Sequence, residues 1–225
     1  MKFQIFFFNL ILSLPLFAEQ QDTIFIQRKL ADIPYPFYHA IYIDTTRSVR
    51  DILTNFEFDN YDSATYFDEL QRLKPLKKKM SFATKDFPKN WIALHKWQGK
   101  YYLYYPSDFG NHIKFKITDS TTLDFSMEGP EPSRLNQVVL LSSTKLVIYR
   151  NNHWEGKKVQ INIIDKARGI AVFTFGQTKY SKEGYQLLMV DANKAYLFPT
   201  IVNYCKTDKQ IEFDFDKINF KSLNR

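Results

Sequence analysis

The sequence predicts an α+β protein that is mainly β: an antiparallel meander forming a barrel or strongly curved sheet, with two short N-terminal helices. Three observations carry that expectation. From about residue 90 onward, short runs of alternating apolar and polar residues recur between tight polar turns, the pattern of half-buried strands joined as hairpins. Aromatic residues make up 17% of the chain, with 21 Phe and 14 Tyr against 7 Gly, a bias toward strands and thick aromatic packing. Helical periodicity shows in two brief stretches, both before residue 75.

Residues 1–18 read as a secretory signal peptide. Lys2 supplies a short positive start, an apolar run from Phe3 to Phe17 is interrupted by Gln4, Asn9, Ser13 and Pro15, and Ala18 offers a small residue before Glu19-Gln20-Gln21-Asp22. A helical membrane span needs about 20 predominantly apolar residues. The expectation is therefore an exported chain, periplasmic or secreted, with no transmembrane span in its mature part. No Cys follows the apolar core, so lipoprotein processing is not indicated. Cleavage after Ala18 removes Lys2 and leaves 30 basic and 24 acidic residues, a charge of +6. An excess of that size favours anionic surroundings only weakly, and export argues against nucleic acid as a partner. Cys205 is the single cysteine, so no intramolecular disulfide is available and packing alone must hold the fold.

Residues 19–89 form a mixed region expected to pack on the sheet. Thr23 to Ile26 and Phe37 to Ile43 are β-prone, separated by Pro34 and Pro36, which donate no ladder hydrogen bonds. Val49, Ile52, Leu53 and Phe56 make one apolar stripe of a helix that Thr46 is placed to cap, with Arg47 and Asp51 spaced as an i,i+4 pair. A second helix is predicted from Ser63 to Lys74. Asp62 or Ser63 would cap it, Tyr66, Leu70 and Leu73 would be buried, Asp68 would meet Arg72, and Pro75 would stop it.

Residues 90–225 read as the antiparallel barrel-like domain. A strand is expected from Lys100 to Tyr105. A hairpin looped at Asp119-Ser120-Thr121 would set Ile117 opposite Leu123, Phe115 opposite Phe125, Ile113 opposite Met127 and Lys116 opposite Asp124. Slipping it by one would put Lys116 against Leu123. A loop at 165–169 sets Ile163 opposite Ala171, Ile161 opposite Phe173 and Val159 opposite Phe175. Further hairpins are predicted from Val138 to Arg150, turning at Ser142-Ser143-Thr144, and from Tyr185 to Phe198, turning near Ala192-Asn193; Ile201 to Cys205 and Ile211 to Phe215 read as strands. So many strands in a meander must hide their edges by closure or by sandwiching. The topology is similar to lipocalin-like barrels by analogy only, and an analogy of fold dictates no function.

Chemistry-bearing residues are sparse. His39, His95, His112 and His153 lack any metal-ligand spacing, and no metal or cofactor is implied. Cys205 has no nucleophile signature around it and reads as a buried small hydrophobe. Glu212, Asp214 and Asp216 alternate with Phe213 and Phe215, the pattern of a half-buried strand with a solvated acidic face. Ser142 to Lys145 matches S-x-x-K in letters, but a hairpin turn is the wrong setting for that motif. Lys74, Lys77, Lys78 and Lys79 form the densest charge; a solvated linker is the first reading of it, and a surface suited to an anionic envelope the second.

The richest signal is aromatic. Trp91, Trp97, Tyr101, Tyr102, Tyr104 and Tyr105 fall within fifteen residues, and strand alternation sends Tyr101 and Tyr105 to one face, Tyr102 and Tyr104 to the other; one set is core, and for the other ordinary core and helix packing is weighed ahead of a ligand-facing role. The leading expectation is an exported non-enzymatic protein that binds an apolar or amphipathic small molecule, such as a lipid, within its β-structure, with Trp97, Tyr102, Tyr104 and Phe173 facing the ligand. The alternative is a cell-envelope interaction protein using an exposed aromatic and lysine surface. A glycan-active enzyme, with two carboxylates facing across a cleft, ranks third.

Overall fold

The computed structural model describes residues 23–31, 37–73, 87–108, 110, 112–126, 129–151, 157–177, 182–205 and 211–223. The segment 1–18, the lysines Lys74, Lys77, Lys78 and Lys79, Met127, His153 and the side chains of His39 and Cys205 lie outside that description. In chain order the elements are β1 (Thr23–Ala31), β2 (Phe37–Asp44), α1 (Ser48–Leu53), α2 (Asn60–Arg72), β3 (Asn90–Ala93), β4 (His95–Trp97), β5 (Lys100–Tyr105), β6 (Lys114–Ile117), β7 (Thr121–Ser126), β8 (Gly129–Ser142), β9 (Lys145–Asn151), β10 (Lys158–Asp165), β11 (Ile170–Phe175), β12 (Tyr185–Asp191), a 3-10 helix (Ala192–Leu197), β13 (Thr200–Cys205) and α3 (Phe220–Leu223).

The expected mainly β architecture is present, and its centre is a closed antiparallel barrel. Eight strands follow one another around it in the order β3, β6, β7, β8, β9, β10, β11, β12, with β12 pairing back to β3. Only β4 and β5 interrupt the succession. They leave the barrel to join a second, five-stranded sheet ordered β1-β2-β13-β5-β4. That sheet is not wholly antiparallel, as residues beyond 90 were expected to be: β13 runs parallel to β5 because it reaches the sheet by a crossover from the barrel.

The barrel interior is filled by side chains, as an eight-stranded barrel readily allows. Trp91, Phe115, Phe173 and Phe175 pack edge to face or tilted at its centre, with Phe173 to Trp91 at 5.2 Å and Phe173 to Phe115 at 5.4 Å between ring centroids. Leu135, Leu146, Ile148, Val159, Ile161 and Met189 complete the same cluster. One charge is buried among them. The guanidinium of Arg150 lies 5.6 Å from the Phe115 ring and 5.7 Å from the Phe175 ring, forms an ion pair with Asp124, and donates to the Thr122 hydroxyl at 3.1 Å.

That buried arginine explains a corrected register. The hairpin β6–β7 pairs Phe115 with Asp124, Lys116 with Leu123 and Ile117 with Thr122, one residue away from the apolar-on-apolar expectation. Thr122 and Asp124 thereby share the barrel face with Ile117 and Phe115 and meet Arg150, while Leu123 and Phe125 take the other face. The outer apolar residues find cover on the N-terminal segment. Phe56 meets Phe125 edge to face at 5.6 Å, and Lys114 spans both rings while donating to the Asn55 carbonyl at 2.9 Å. The turn is tighter than expected as well, because Thr118 and Thr121 bond each other through backbone and hydroxyl.

Hairpin β10–β11 has the expected pairs, Ile163 with Ala171, Ile161 with Phe173 and Val159 with Phe175. Hairpin β8–β9 turns as expected, with Ser142 opposite Lys145. The predicted Tyr185–Phe198 hairpin does not form. The Asp191 carboxylate accepts from the Asn193 amide at 3.0 Å and starts the 3-10 helix, Lys194 donates to the carbonyls of Lys166 and Ala167, and the chain departs toward β13. Thr46 does not cap α1, because its amide and hydroxyl are bonded to Asp44, at 2.7 and 2.9 Å. The second helix starts three residues early, with Asp59 as the cap accepting from the Asp62 amide, and Arg72 pairs with Glu69 in place of Asp68.

Between barrel and second sheet lies a second core. Ile92, Ile170, Val172, Leu188 and Val190 from the barrel wall pack with Leu103 of β5, Leu53 of α1, Ala195 and Phe198. Tyr101 and Tyr105 join that layer, and α3 adds Phe220 and Leu223. Tyr102 and Tyr104 consequently face away from the barrel, as strand alternation requires.

Candidate functional site

The outward face of the five-stranded sheet collects the aromatic residues into one surface. Tyr102 and Tyr104 from β5 join His95 and Trp97 from β4, with Ile41 from β2 and Ile201 from β13 beside them. Trp97 meets Tyr102 edge to face at 5.9 Å, and His95 meets Tyr104 at 5.6 Å. Three of the four residues expected to face a ligand are therefore together. Phe173 is elsewhere, fully buried in the barrel against Trp91 and Phe115.

A strap covers this surface. Residues 211–216 run across it without forming the strand expected there: the Phe213 amide donates to the Tyr104 hydroxyl at 2.9 Å, and the Asp216 amide to the carbonyl of Lys96 at 2.8 Å. The alternation still holds for the rings. Phe213 sits 5.5 Å from Trp97, and Phe215 stacks on His95 at 4.3 Å and meets Tyr104 edge to face at 5.0 Å.

On the acidic side of the strap Asp214 and Asp216 are exposed, as a solvated face requires, and Glu212 departs from it. Glu212 accepts from the Tyr104 hydroxyl, from the Ser107 hydroxyl at 3.2 Å and from the Asp108 amide at 3.3 Å. Exposed Asp216 also accepts from the Gly99 amide, at 3.3 Å. Tyr104 thus uses its whole hydrogen-bonding capacity: its hydroxyl donates to Glu212 and accepts from Phe213 and from the side-chain amide of buried Asn203 at 3.1 Å. Burial, then the bond to Glu212, pushes its pKa up to about 12, so it remains a donor. Burial also raises Tyr102. Burial pulls His95 down to about 4, which keeps the imidazole neutral and apolar enough to stack on Phe215.

Taken together, the surface offers aromatic rings for an apolar body and, at one end, two hydroxyls and an amide for a carboxylate. The aromatic members were legible in the sequence; the strap's part in the site was not, because Glu212 and Tyr104 are separated by more than a hundred residues. Among the described residues, no group of three His, Cys, Asp or Glu side chains is placed to hold a metal ion. No helix among them is long and apolar enough to cross a membrane. No family model, curated protein or solved structure matches the chain. What stands is a class defined by fold, a mainly β protein built on a closed antiparallel barrel, an architecture compatible with ligand binding.

Proposed function

We propose that this chain is an exported, non-enzymatic binding protein for an apolar or amphipathic small molecule, held on the outer aromatic sheet face and not in the barrel lumen. One observation carries the reading. The strap lies on Trp97, Tyr102 and Tyr104 much as an amphipathic acid would, its Phe213 and Phe215 rings on the aromatic residues and its Glu212 carboxylate on the Tyr104 and Ser107 hydroxyls and the Asp108 amide. A fatty-acid-like ligand reproduces that chemistry and replaces the strap. In this reading Phe173 serves as barrel core, and the signal-like residues 1–18 supply export.

A second reading, an envelope interaction protein, draws on the filled barrel and on Tyr61 and Phe67, which stand 60% and 59% exposed on α2 just before the lysine-rich segment. Mass spectrometry of organic extracts from gently purified mature protein separates the two. A stoichiometric lipid lost on denaturation supports the binder. A clean extract, with dodecanoate failing to alter Trp97 emission even in a Phe213→Ala/Phe215→Ala variant, removes the sheet-face seat and makes partner capture the next step.

A further inference from the structure

A second concave feature, remote in chemistry from the aromatic face, lies between α1 and the 3-10 helix. It is a groove of about 750 Å³ lined by Thr46, Arg47, Arg50, Asp51, Thr54 and Tyr196 among others, within the size range of small-molecule sites. Its construction follows from the local sequence. The Asp44 carboxylate ties down Thr46, so the chain turns sharply out of β2 and α1 begins at once. Residues 47, 50, 51 and 54 then fall on one helical stripe, while Leu53, on the other side, is buried in the core. The facing 3-10 helix contributes Ala192 and Ala195, whose small side chains leave the floor open, and Tyr196, whose ring is 64% exposed.

The charged groups in this groove are not spent on each other. The Arg47–Asp51 pair that their spacing suggests does not form, and Arg47 has no ion pair among the described residues. Among the described residues Arg50 reaches only the Tyr196 carbonyl, at 3.4 Å, a long contact that a better acceptor would displace.

We infer that this groove binds a saccharide bearing a carboxylate, a uronate-type sugar. The two guanidinium groups match a carboxylate as planar forks. The Tyr196 ring offers an apolar platform for the C–H face of a sugar, and Thr46 and Thr54 offer hydroxyl partners. Asp51 decides between anions: its charge beside the arginines opposes a doubly charged phosphate, yet its oxygens accept from sugar hydroxyls. The inference stands apart from the sheet-face reading, since it uses none of the same residues.

The test is a titration of the mature chain with glucuronate, glucose and inorganic phosphate, followed by NMR of the Tyr196 ring. Glucuronate is expected to bind with a Kd of about 1 mM, glucose and phosphate at least about tenfold more weakly. Arg47→Gln and Arg50→Gln should each weaken glucuronate about tenfold with the unfolding midpoint unchanged, and Tyr196→Ala should weaken it without restoring phosphate. Equal binding of phosphate, glucuronate affinity indifferent to both arginine variants, or no ring shift at about 50 mM glucuronate overturns the inference.

Discussion

Arg150 shows how one residue settles what a pattern of apolar residues leaves open. Burying a guanidinium costs several kcal/mol unless its charge is matched, and Asp124, Thr122 and two ring faces match it here. Arg150→Met should therefore strand Asp124 and cost about 3–5 kcal/mol in urea unfolding. Adding Asp124→Leu should recover most of that loss; a double variant as unstable as the single one would assign the cost to packing. Tyr104 is the matching case on the sheet face. Tyr104→Phe removes three hydrogen bonds at once and is expected to cost about 1–3 kcal/mol, with faster amide exchange across residues 211–216 and unchanged exchange in β10 and β11. Uniform acceleration throughout the chain would contradict the strap's dependence on that hydroxyl.

At the scale of elements, strand alternation follows from local sequence, whereas the choice of neighbour depends on residues far along the chain. The pairs of β10–β11 follow from apolar residues on both strands, so local sequence suffices. In β6–β7 both faces are partly apolar, and the register is chosen by a charge on β9 and by rings on the α1–α2 connection. Turns impose their own conditions. Gly184 precedes β12 with φ of 72°, and a Cβ there would sit 2.3 Å from the Phe175 carbonyl oxygen. Gly184→Ala should thus cost more than about 2 kcal/mol in thermal or urea unfolding, from positive φ and backbone collision together. A loss under about 0.5 kcal/mol, the usual range for surface substitutions, would mean that β12 enters the barrel another way.

At the scale of the whole molecule, stability should depend on acid through two histidines that burial keeps neutral, His95 beneath the strap on the outer sheet face and His112 just before β6. Burial lowers His95 from 6.5 to about 4, and burial followed by the charges of Lys114 and His95 lowers His112 to about 3. Between those values and 6.5 the unfolded chain binds protons that the native chain does not, so native stability is at its plateau above about pH 6.5 and falls as pH drops toward 4. The urea midpoint should be lower at about pH 5 than at about pH 7.5, and His95→Phe should flatten the difference. A midpoint independent of pH in that window would place both imidazoles in water.

By itself the sequence determined the fold class, the positions of most strands, the two faces of β5 and the gathering of Trp97, Tyr102 and Tyr104, because alternation and turn chemistry are local properties. Only the tertiary structure decided that β12 closes on β3, that β13 crosses into a second sheet beside β5, that Phe173 lies in the barrel apart from the other three aromatic residues, and that Glu212 folds back to Tyr104. Each of those outcomes matches a hydroxyl, a strand edge or an aromatic ring to a partner distant in sequence, and local pattern does not encode such distances.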